Sequence, residues 1–133
     1  MSKKTIYLVG PIDGLNNSDA MNWRVNAKKA VCDKYNVYIP SYQDSNETPN
    51  EIWDRDYFYV DNSDILIVNL DYDNNKPFLD TSMEISRAFY QNKIIIVFSS
   101  KDWVHNSKTI KYHATKIVKN LEEAIEYVVD NHF

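Results

Sequence analysis

The chain of 133 residues is long enough for one compact domain, and its formal net charge of −4 offers no basic surface for the phosphate backbone of a nucleic acid. The single cysteine excludes an internal disulfide and a cysteine-based structural zinc site, while the apolar runs are too short to span a membrane. The two glycines, at positions 10 and 14, are too few for the glycine-rich loops of classical dinucleotide and ATP sites. We therefore expect a single cytoplasmic domain over residues 1–133.

Strands and helices alternate along the predicted chain. In chain order we expect a strand at 5–9, a helix at about 19–35, a strand at 37–39, a helix at about 49–62, a strand at 64–70, a helix at about 80–91, a strand at 93–98, a short strand at 115–118 and a helix at 121–131. The main loops are expected at 10–14, 41–50, 71–77 and 99–107. This alternation predicts an α/β protein: a flavodoxin-like three-layer sandwich around a mostly parallel five-stranded sheet, with the hydrophobic run at 64–70 in its centre.

Capping residues predict where the helices begin. Ser18, Thr48 and Asp80 each precede a helical pattern as candidate N-caps, and Asn120 has Glu123 three residues later, as in a capping box. The expected apolar side of the first helix consists of Met21, Val25, Ala27, Ala30 and Val31.

Several carboxylates should meet at one edge of this sheet. Ligands of parallel sheets bind outside the carboxyl ends of the strands, which here brings together Asp13, the carboxylates within 71–80, and Glu84. We expect Glu84 in the first turn of its helix, where the helix dipole would keep it ionised near neutral pH, as a nucleophile requires. Acidic residues in first turns are also common for stability alone, so spacing leaves the role of Glu84 open.

Four segments resemble the nucleoside 2-deoxyribosyltransferase family in order and spacing, over most of residues 3–98. The segments are KKTIYLVGPI at 3–12, DYFYVDNSDIL at 56–66, TSMEISRA at 81–88 and KIIIV at 93–97. The resemblance implies a flavodoxin-like sheet, a homo-oligomer with sites near subunit interfaces, and no metal or organic cofactor. It also implies cleavage of the N-glycosidic bond of a 2'-deoxynucleoside through a covalent deoxyribosyl-enzyme ester.

The resemblance also gives roles to individual residues. Glu84 matches the family's nucleophile, Tyr7 a tyrosine that orients the nucleophile, and Asp56 an aspartate on the base side that would protonate the leaving base. Substrate contacts are expected from Gly10, Pro11, Ile12, Asp13, Asp80 and Ser82. The residues alone leave alternatives, because Asp56 also fits a solvated carboxylate on an acidic helix and Tyr7 a core tyrosine of the first strand.

The chain departs from the family pattern beside the nucleophile. Typical transferases carry an aspartate six residues before it, where this chain has Phe78, and Asp80 stands where glycine is usual. Proton delivery to the base would then need Asp80, or Asp71 and Asp73 in the preceding loop. Asp80 equally fits a plain N-cap.

Three functions stay open at this point. A transferase that moves the sugar from a 2'-deoxynucleoside to another nucleobase is preferred. The 2'-deoxynucleoside 5'-monophosphate N-glycosidases, which are hydrolases, resemble the same segments, but Asp13 would repel a phosphate even if Arg24, Ser82 and Arg87 supplied donors. A non-catalytic nucleotide-binding or sequestering domain is the third, because fold does not fix function. The expected partners are therefore a small nucleoside or nucleotide and a nucleobase, rather than a nucleic acid polymer or a membrane.

Overall fold

The computed structural model describes residues 3–12, 17–40, 46–73, 75 and 78–133. Within these ranges the elements, in chain order, are β1 (Thr5–Val9), α1 (Asn17–Val31), β2 (Asn36–Tyr38), α2 (Pro49–Asp61), β3 (Ile65–Asn69), α3 (Leu79–Tyr90), β4 (Ile94–Phe98), α4 (Asp102–His105), α5 (Lys108–His113), β5 (Lys116–Val118) and α6 (Leu121–Asp130). No helix in this described part of the chain is long and apolar enough to cross a membrane.

The five strands form one parallel sheet in the order β2-β1-β3-β4-β5. This is the flavodoxin-like order, so the predicted fold class is confirmed, with a sheet that is wholly parallel. β3 lies in the middle, as its hydrophobic run predicts, and all five of its residues are buried. Val68 pairs with Val9 of β1 and with Val97 of β4, so the carboxyl ends of these strands meet at one edge of the sheet.

Alternate residues of the strands pack into two separate cores, one on each side of the sheet. Because successive side chains of a strand point to opposite faces, Leu8 joins the core under α1 and α6, whereas Tyr7 joins the core under α2 and α3. Helices therefore cover both faces, and the three-layer arrangement follows. This alternation also decides which side of the sheet carries the candidate site, since Tyr7 belongs to it.

Two of the predicted N-caps are confirmed. Oγ1 of Thr48 accepts a hydrogen bond of 3.2 Å from the backbone N–H of Glu51 at the start of α2. Oδ1 of Asn120 accepts one of 2.9 Å from the N–H of Glu123 at the start of α6. Both caps satisfy donors that have no partner inside the first turn of a helix.

The other two predicted N-caps are wrong, because both helices begin earlier than expected. α1 begins at Asn17, so Ser18 lies inside it, and the helix ends at Val31 rather than near residue 35. α3 follows Phe78, whose side chain makes no capping hydrogen bond, and Asp80 lies in the first turn. A carboxylate there still complements the helix dipole.

The buried side of α1 also differs from the prediction. Its buried residues are Ala20, Arg24, Ala27 and Val31. Their spacing is that of one helix face, but the arginine among them counts as polar in a hydrophobicity pattern. The predicted apolar side therefore lies on a different part of the helix surface from the side that is buried. Val25, which was predicted to be buried, is 41% exposed.

Two short helices occupy the segment between β4 and β5. α4 lies within the stretch predicted as a loop at 99–107, and α5 begins directly after Ser107, whose hydroxyl accepts a hydrogen bond from the N–H of Ile110 at 3.2 Å. Helices of four and six residues are too short to repeat an apolar period, which is why the sequence pattern misses them.

Candidate active site

Glu84 is a buried acid in the second turn of α3, with only 6% of its surface exposed. It faces the sheet, on the side of the helix that also buries Thr81 and Ala88. The hydroxyl of Tyr7, on β1, acts on its carboxyl group as a hydrogen-bonding neighbour and lowers the pKa of that group. The carboxyl oxygen Oε2 of Glu84 is buried and has no hydrogen-bond partner among the described residues. A buried oxygen in this state costs about 1–3 kcal/mol, so it marks a position where a ligand would gain a contact.

Burial raises the pKa of Glu84 to about 8. The hydrogen bond from Tyr7 and the charge of Arg24 lower this pKa, whereas the charges of Asp56 and Asp80 raise it. The expectation that the helix N-terminus keeps Glu84 ionised near neutral pH is therefore wrong. Glu84 lies beyond the first turn, where the helix dipole fades, and the loss of hydration is the larger effect. At pH 7 the protonated form of Glu84 therefore predominates.

Tyr7 is both a core residue and the hydrogen-bond partner of Glu84. Its side chain is 1% exposed, and its ring lies 5.4 Å from that of Tyr59. Burial raises the pKa of Tyr7 well above its ordinary value, and the charges of Glu84 and Asp56 raise it further. The phenol therefore stays protonated over the whole neutral range and acts as a donor.

Asp56 is buried on α2 with 8% exposure, unlike the exposed Asp54 and Asp61 of the same helix. The alternative of a solvated surface carboxylate is therefore wrong. Burial raises the pKa of Asp56, and the neighbouring Arg55 lowers it through a contact of 3.5 Å between Nε and Oδ1. The charge of Asp80 raises the pKa of Asp56 as well, so these acids lie close enough to influence one another's protonation.

Asp80 and Ser82 lie on different sides of α3. Asp80 is exposed in the first turn, and its charge reaches both Asp56 and Glu84. The hydroxyl of Ser82 donates to the carbonyl of Leu79 at 2.6 Å, and its side chain lines a separate cavity of about 650 Å³ between α3 and α5. The structure therefore brings Asp80, but not Ser82, into the group around Glu84.

The loop after β1 lies at the carboxyl end of the sheet, as predicted. A Cβ at Gly10 would lie 3.2 Å from Cζ2 of Trp23 and 3.3 Å from Cβ of Asn69. Both distances are shorter than ordinary contacts, so any side chain at this position would crowd Trp23 and Asn69. Pro11 is buried and Ile12 half-buried beside it. Asp13 lies outside the described residues.

The two acids considered as substitutes in the loop after β3 contact the loop after β4 instead. Oδ1 of Asp71 accepts hydrogen bonds from the N–H and the hydroxyl of Ser100, at 2.8 and 2.6 Å. Asp73 forms an ion pair of 3.3 Å with Lys101. These contacts fasten the two loops together, which argues against Asp71 and Asp73 as proton donors to a base.

An aromatic pair occupies the position where the family pattern has an aspartate. The ring of Phe78 lies 5.3 Å from that of Trp103, and the indole N–H of Trp103 donates to the carbonyl of Tyr72 at 2.8 Å. No proton can come from this position. Asp80, two residues later, is the acid of α3 whose charge acts on both Asp56 and Glu84.

Sequence analysis considered Arg24 only as a possible phosphate donor and missed that it is a buried part of the site. It is completely buried, and it donates to the carbonyls of Leu8 at 3.2 Å, Gly10 at 2.9 Å and Ala20. Its position on the apolar face of α1 is the signal that could have identified it. Arg87, the other suggested phosphate donor, instead holds exposed Asp61 at 2.7 Å.

A metal ion has no evident ligand set here. Within the described ranges, no three side chains of His, Cys, Asp or Glu are grouped so that they could hold one. The chemistry available to this group is that of carboxyls, a phenol and a guanidinium, which move protons and form covalent bonds to carbon.

The chain matches no protein-family model and no curated protein. Its fold is similar to that of a 2-deoxyribosyltransferase from Leishmania mexicana, with a TM-score of 0.75 and 18% identity, over 98% of this chain and 99% of that one. A 2-deoxyribosyltransferase from Bacillus psychrosaccharolyticus gives a TM-score of 0.71 and 14% identity, over 92% and 91%. A response regulator receiver domain protein from Methanospirillum hungatei gives 0.62 and 14%, over 98% and 94%. These likenesses confirm the fold; the function has to be argued from the site.

Proposed function

We propose that this protein is a nucleoside 2-deoxyribosyltransferase, which cleaves the N-glycosidic bond of a 2'-deoxynucleoside and passes the 2-deoxyribosyl group to another nucleobase. The observation that carries the proposal is the buried carboxyl of Glu84, which interacts with Tyr7 and whose Oε2 has no hydrogen-bond partner in the part of the chain that the structure describes. The four sequence segments of this family, and the fold shared with two proteins named 2-deoxyribosyltransferases, support the same conclusion.

The reaction needs one carboxylate and one acid, and the site supplies two interacting carboxyls. Near pH 7 Glu84 is largely protonated, and transfer of its proton to Asp56 creates both groups at once. The Glu84 carboxylate then forms a bond to C1' of the sugar, while the bond from C1' to the base nitrogen breaks. The electron pair of that bond goes to the base, which takes the proton from Asp56.

The resulting ester between Glu84 and the sugar is the intermediate from which transfer proceeds. A second nucleobase attacks C1' and gives its N–H proton to the Asp56 carboxylate, while the ester bond breaks and its electron pair returns Glu84 to the carboxylate form. The positive charge that develops on the sugar in both steps is stabilised by the negative charges of Glu84 and Asp80. Attack by water in place of a base would make the same site a hydrolase.

The charges around the site favour a substrate without a phosphate. Asp56, Asp80 and Glu84 would repel a 5'-phosphate whenever they are ionised. Arg24 donates to backbone carbonyls and Arg87 holds Asp61, so both arginines already have protein acceptors. A nucleoside with a free 5'-hydroxyl suits this arrangement.

The proposal includes a cytoplasmic homo-oligomer. Three apolar side chains on α3, the helix that carries Glu84, are exposed: Leu79, Met83 and Tyr90, at 70%, 47% and 76%. Exposed apolar surface on one helix is typical of a protein contact. Light scattering coupled to size exclusion should give a multiple of the mass of one chain; a single-chain mass at high concentration would exclude the oligomer.

Incubation with deoxyinosine and free adenine tests the function. A transferase yields deoxyadenosine and hypoxanthine, a hydrolase yields free sugar, and a binding protein yields no turnover. Glu84→Ala should abolish the reaction, whereas Glu122→Gln, which changes an exposed glutamate of α6, should leave it intact. A strong preference for the 5'-monophosphate of the substrate would contradict the charge argument.

A further inference from the structure

Arg24 is the largest fully buried side chain in the described part of the chain. It lies on α1, on the opposite side of the sheet from the helix that carries Glu84. A guanidinium loses its hydration in such a position, and burial lowers the pKa of Arg24 accordingly. An apolar side chain of similar volume is often as stable or more stable at a buried site, so core packing alone does not account for an arginine here.

The contacts of Arg24 hold the end of β1. Nε donates to the carbonyl of Leu8 at 3.2 Å and Nη2 to that of Gly10 at 2.9 Å, while Nη1 donates to the carbonyl of Ala20 within α1. One rigid guanidinium therefore joins the last residues of β1 and the first residue of the following loop to α1. A lysine ammonium is a point donor on a flexible stem and cannot reproduce this fork.

The charge of Arg24 also acts on Glu84. The groups that influence the Glu84 carboxyl are Tyr7 from β1, Asp56 from α2, Asp80 from α3 itself and Arg24 from α1. The two aspartates disfavour the ionised form of Glu84, and Tyr7 is neutral. Of these four groups only Arg24 carries a positive charge.

We propose that Arg24 is a positioning residue of the Glu84 site, which joins the end of β1 and Gly10 to α1 and so fixes this part of the site for the substrate. Its positive charge supports the same role, because it acts on the Glu84 carboxyl. Its effect on turnover rests on the proposed function. Its effect on Glu84 does not, because the protonation of Glu84 can be measured without any substrate.

The test compares Arg24→Gln and Arg24→Lys with Arg87→Gln, which removes the same charge from the exposed side of α3. The proposed reaction uses the proton that Glu84 passes to Asp56, so kcat should fall as the pair loses this proton at high pH. In Arg24→Gln the midpoint of this fall should move up by about one unit, and turnover at pH 7 should drop about tenfold, because the form with ionised Glu84 and protonated Asp56 becomes rarer. Arg24→Lys should keep the midpoint near that of the wild type, because the positive charge remains. It should raise KM, because a lysine cannot donate to the carbonyls of Leu8 and Gly10 in the fixed geometry of a guanidinium. Arg87→Gln should leave the midpoint of the pH profile and the KM unchanged.

A carbon-13 NMR titration of the Glu84 carboxyl, in protein without substrate, separates this inference from the proposed function. An upward shift in Arg24→Gln together with no turnover in any variant supports Arg24 and refutes the transferase. The opposite result would be normal turnover in Arg24→Gln, with the Glu84 titration, the midpoint of the pH profile and the KM all unchanged. This would overturn the role of Arg24 and leave the transferase proposal intact. If Arg24→Gln does not fold, Arg24→Lys decides, since an unchanged KM there overturns the positioning role.

Discussion

The raised pKa of Glu84 has a consequence for stability that needs no substrate. An unperturbed glutamate loses its proton near pH 4.5, whereas burial raises the pKa of folded Glu84 to about 8. Between these values the folded protein holds a proton that the unfolded chain has released, so the free energy of unfolding falls as the pH rises. The slope from this one group is about 1.4 kcal/mol per pH unit, and the full gap of about 3.5 units corresponds to about 5 kcal/mol.

Glu84→Gln removes this effect, because glutamine stays neutral at every pH and still accepts a hydrogen bond from Tyr7. We expect the wild type to lose about 4 kcal/mol relative to Glu84→Gln between pH 5 and pH 8. Urea unfolding followed by tryptophan fluorescence at several pH values in this range measures the difference. Glu122→Gln serves as the control and should follow the wild type.

The comparison measures the effect of Glu84 together with its coupling to Asp56, since every other titrating group is present in both proteins. Parallel stability profiles for the wild type and Glu84→Gln would refute the reasoning. They would mean that Glu84 titrates near its ordinary pKa and that the buried carboxyl is solvated.

Three further changes test other parts of the account. Tyr7→Phe removes the donor that lowers the pKa of Glu84, so the midpoint of the pH–rate profile should rise and the protein should lose about 1–3 kcal/mol of unfolding free energy; an unchanged midpoint would contradict the Tyr7 contact. Asp56→Asn should slow cleavage by about 10²–10⁴-fold for ordinary bases and less for bases that leave without a proton, and equal losses for both would remove Asp56 as the acid. Asn120→Ala should cost about 1 kcal/mol in urea unfolding with kcat unchanged, because it removes only the cap of α6; a loss of turnover would show that this helix reaches the site.

The strands could be predicted because their signals are local. β3 and β4 are continuous runs of β-branched and other apolar residues, which only a sheet covered on both faces accommodates. Thr48 and Asn120 could be identified as caps because the residue and its partner lie three positions apart in the chain. The parallel direction of the strands then followed from the alternation of strands and helices along the chain.

The protonation of the candidate site could not be predicted from the sequence. The position of Glu84 on α3 suggested a dipole effect, but the pKa depends on how completely β1 and α2 exclude water from it, which is a property of the assembled layers. The same holds for Asp56, whose neighbours on α2 are exposed although it is buried. The spacing of apolar residues in a helix predicts which side of the helix faces the core, but it does not predict how deeply each residue on that side is buried.

The buried position of Arg24 was missed for a second reason. Hydrophobicity patterns treat an arginine as a surface residue, so its place on the buried side of α1 displaced the predicted face instead of marking a site. The spacing of Ala20, Ala27 and Val31 around it was present in the sequence. An arginine that completes the period of buried residues in a helix is a signal worth testing in its own right.

The covalent bond at Glu84 is the claim on which the account depends. The most direct measurement is mass spectrometry of the protein after an acid quench during turnover of a 2'-deoxynucleoside, followed by peptide mapping. The account predicts the added mass of one 2-deoxyribosyl group on the peptide that contains Glu84, and no such mass in Glu84→Gln. Turnover without an adduct on that peptide, or with an adduct on another residue, would contradict it.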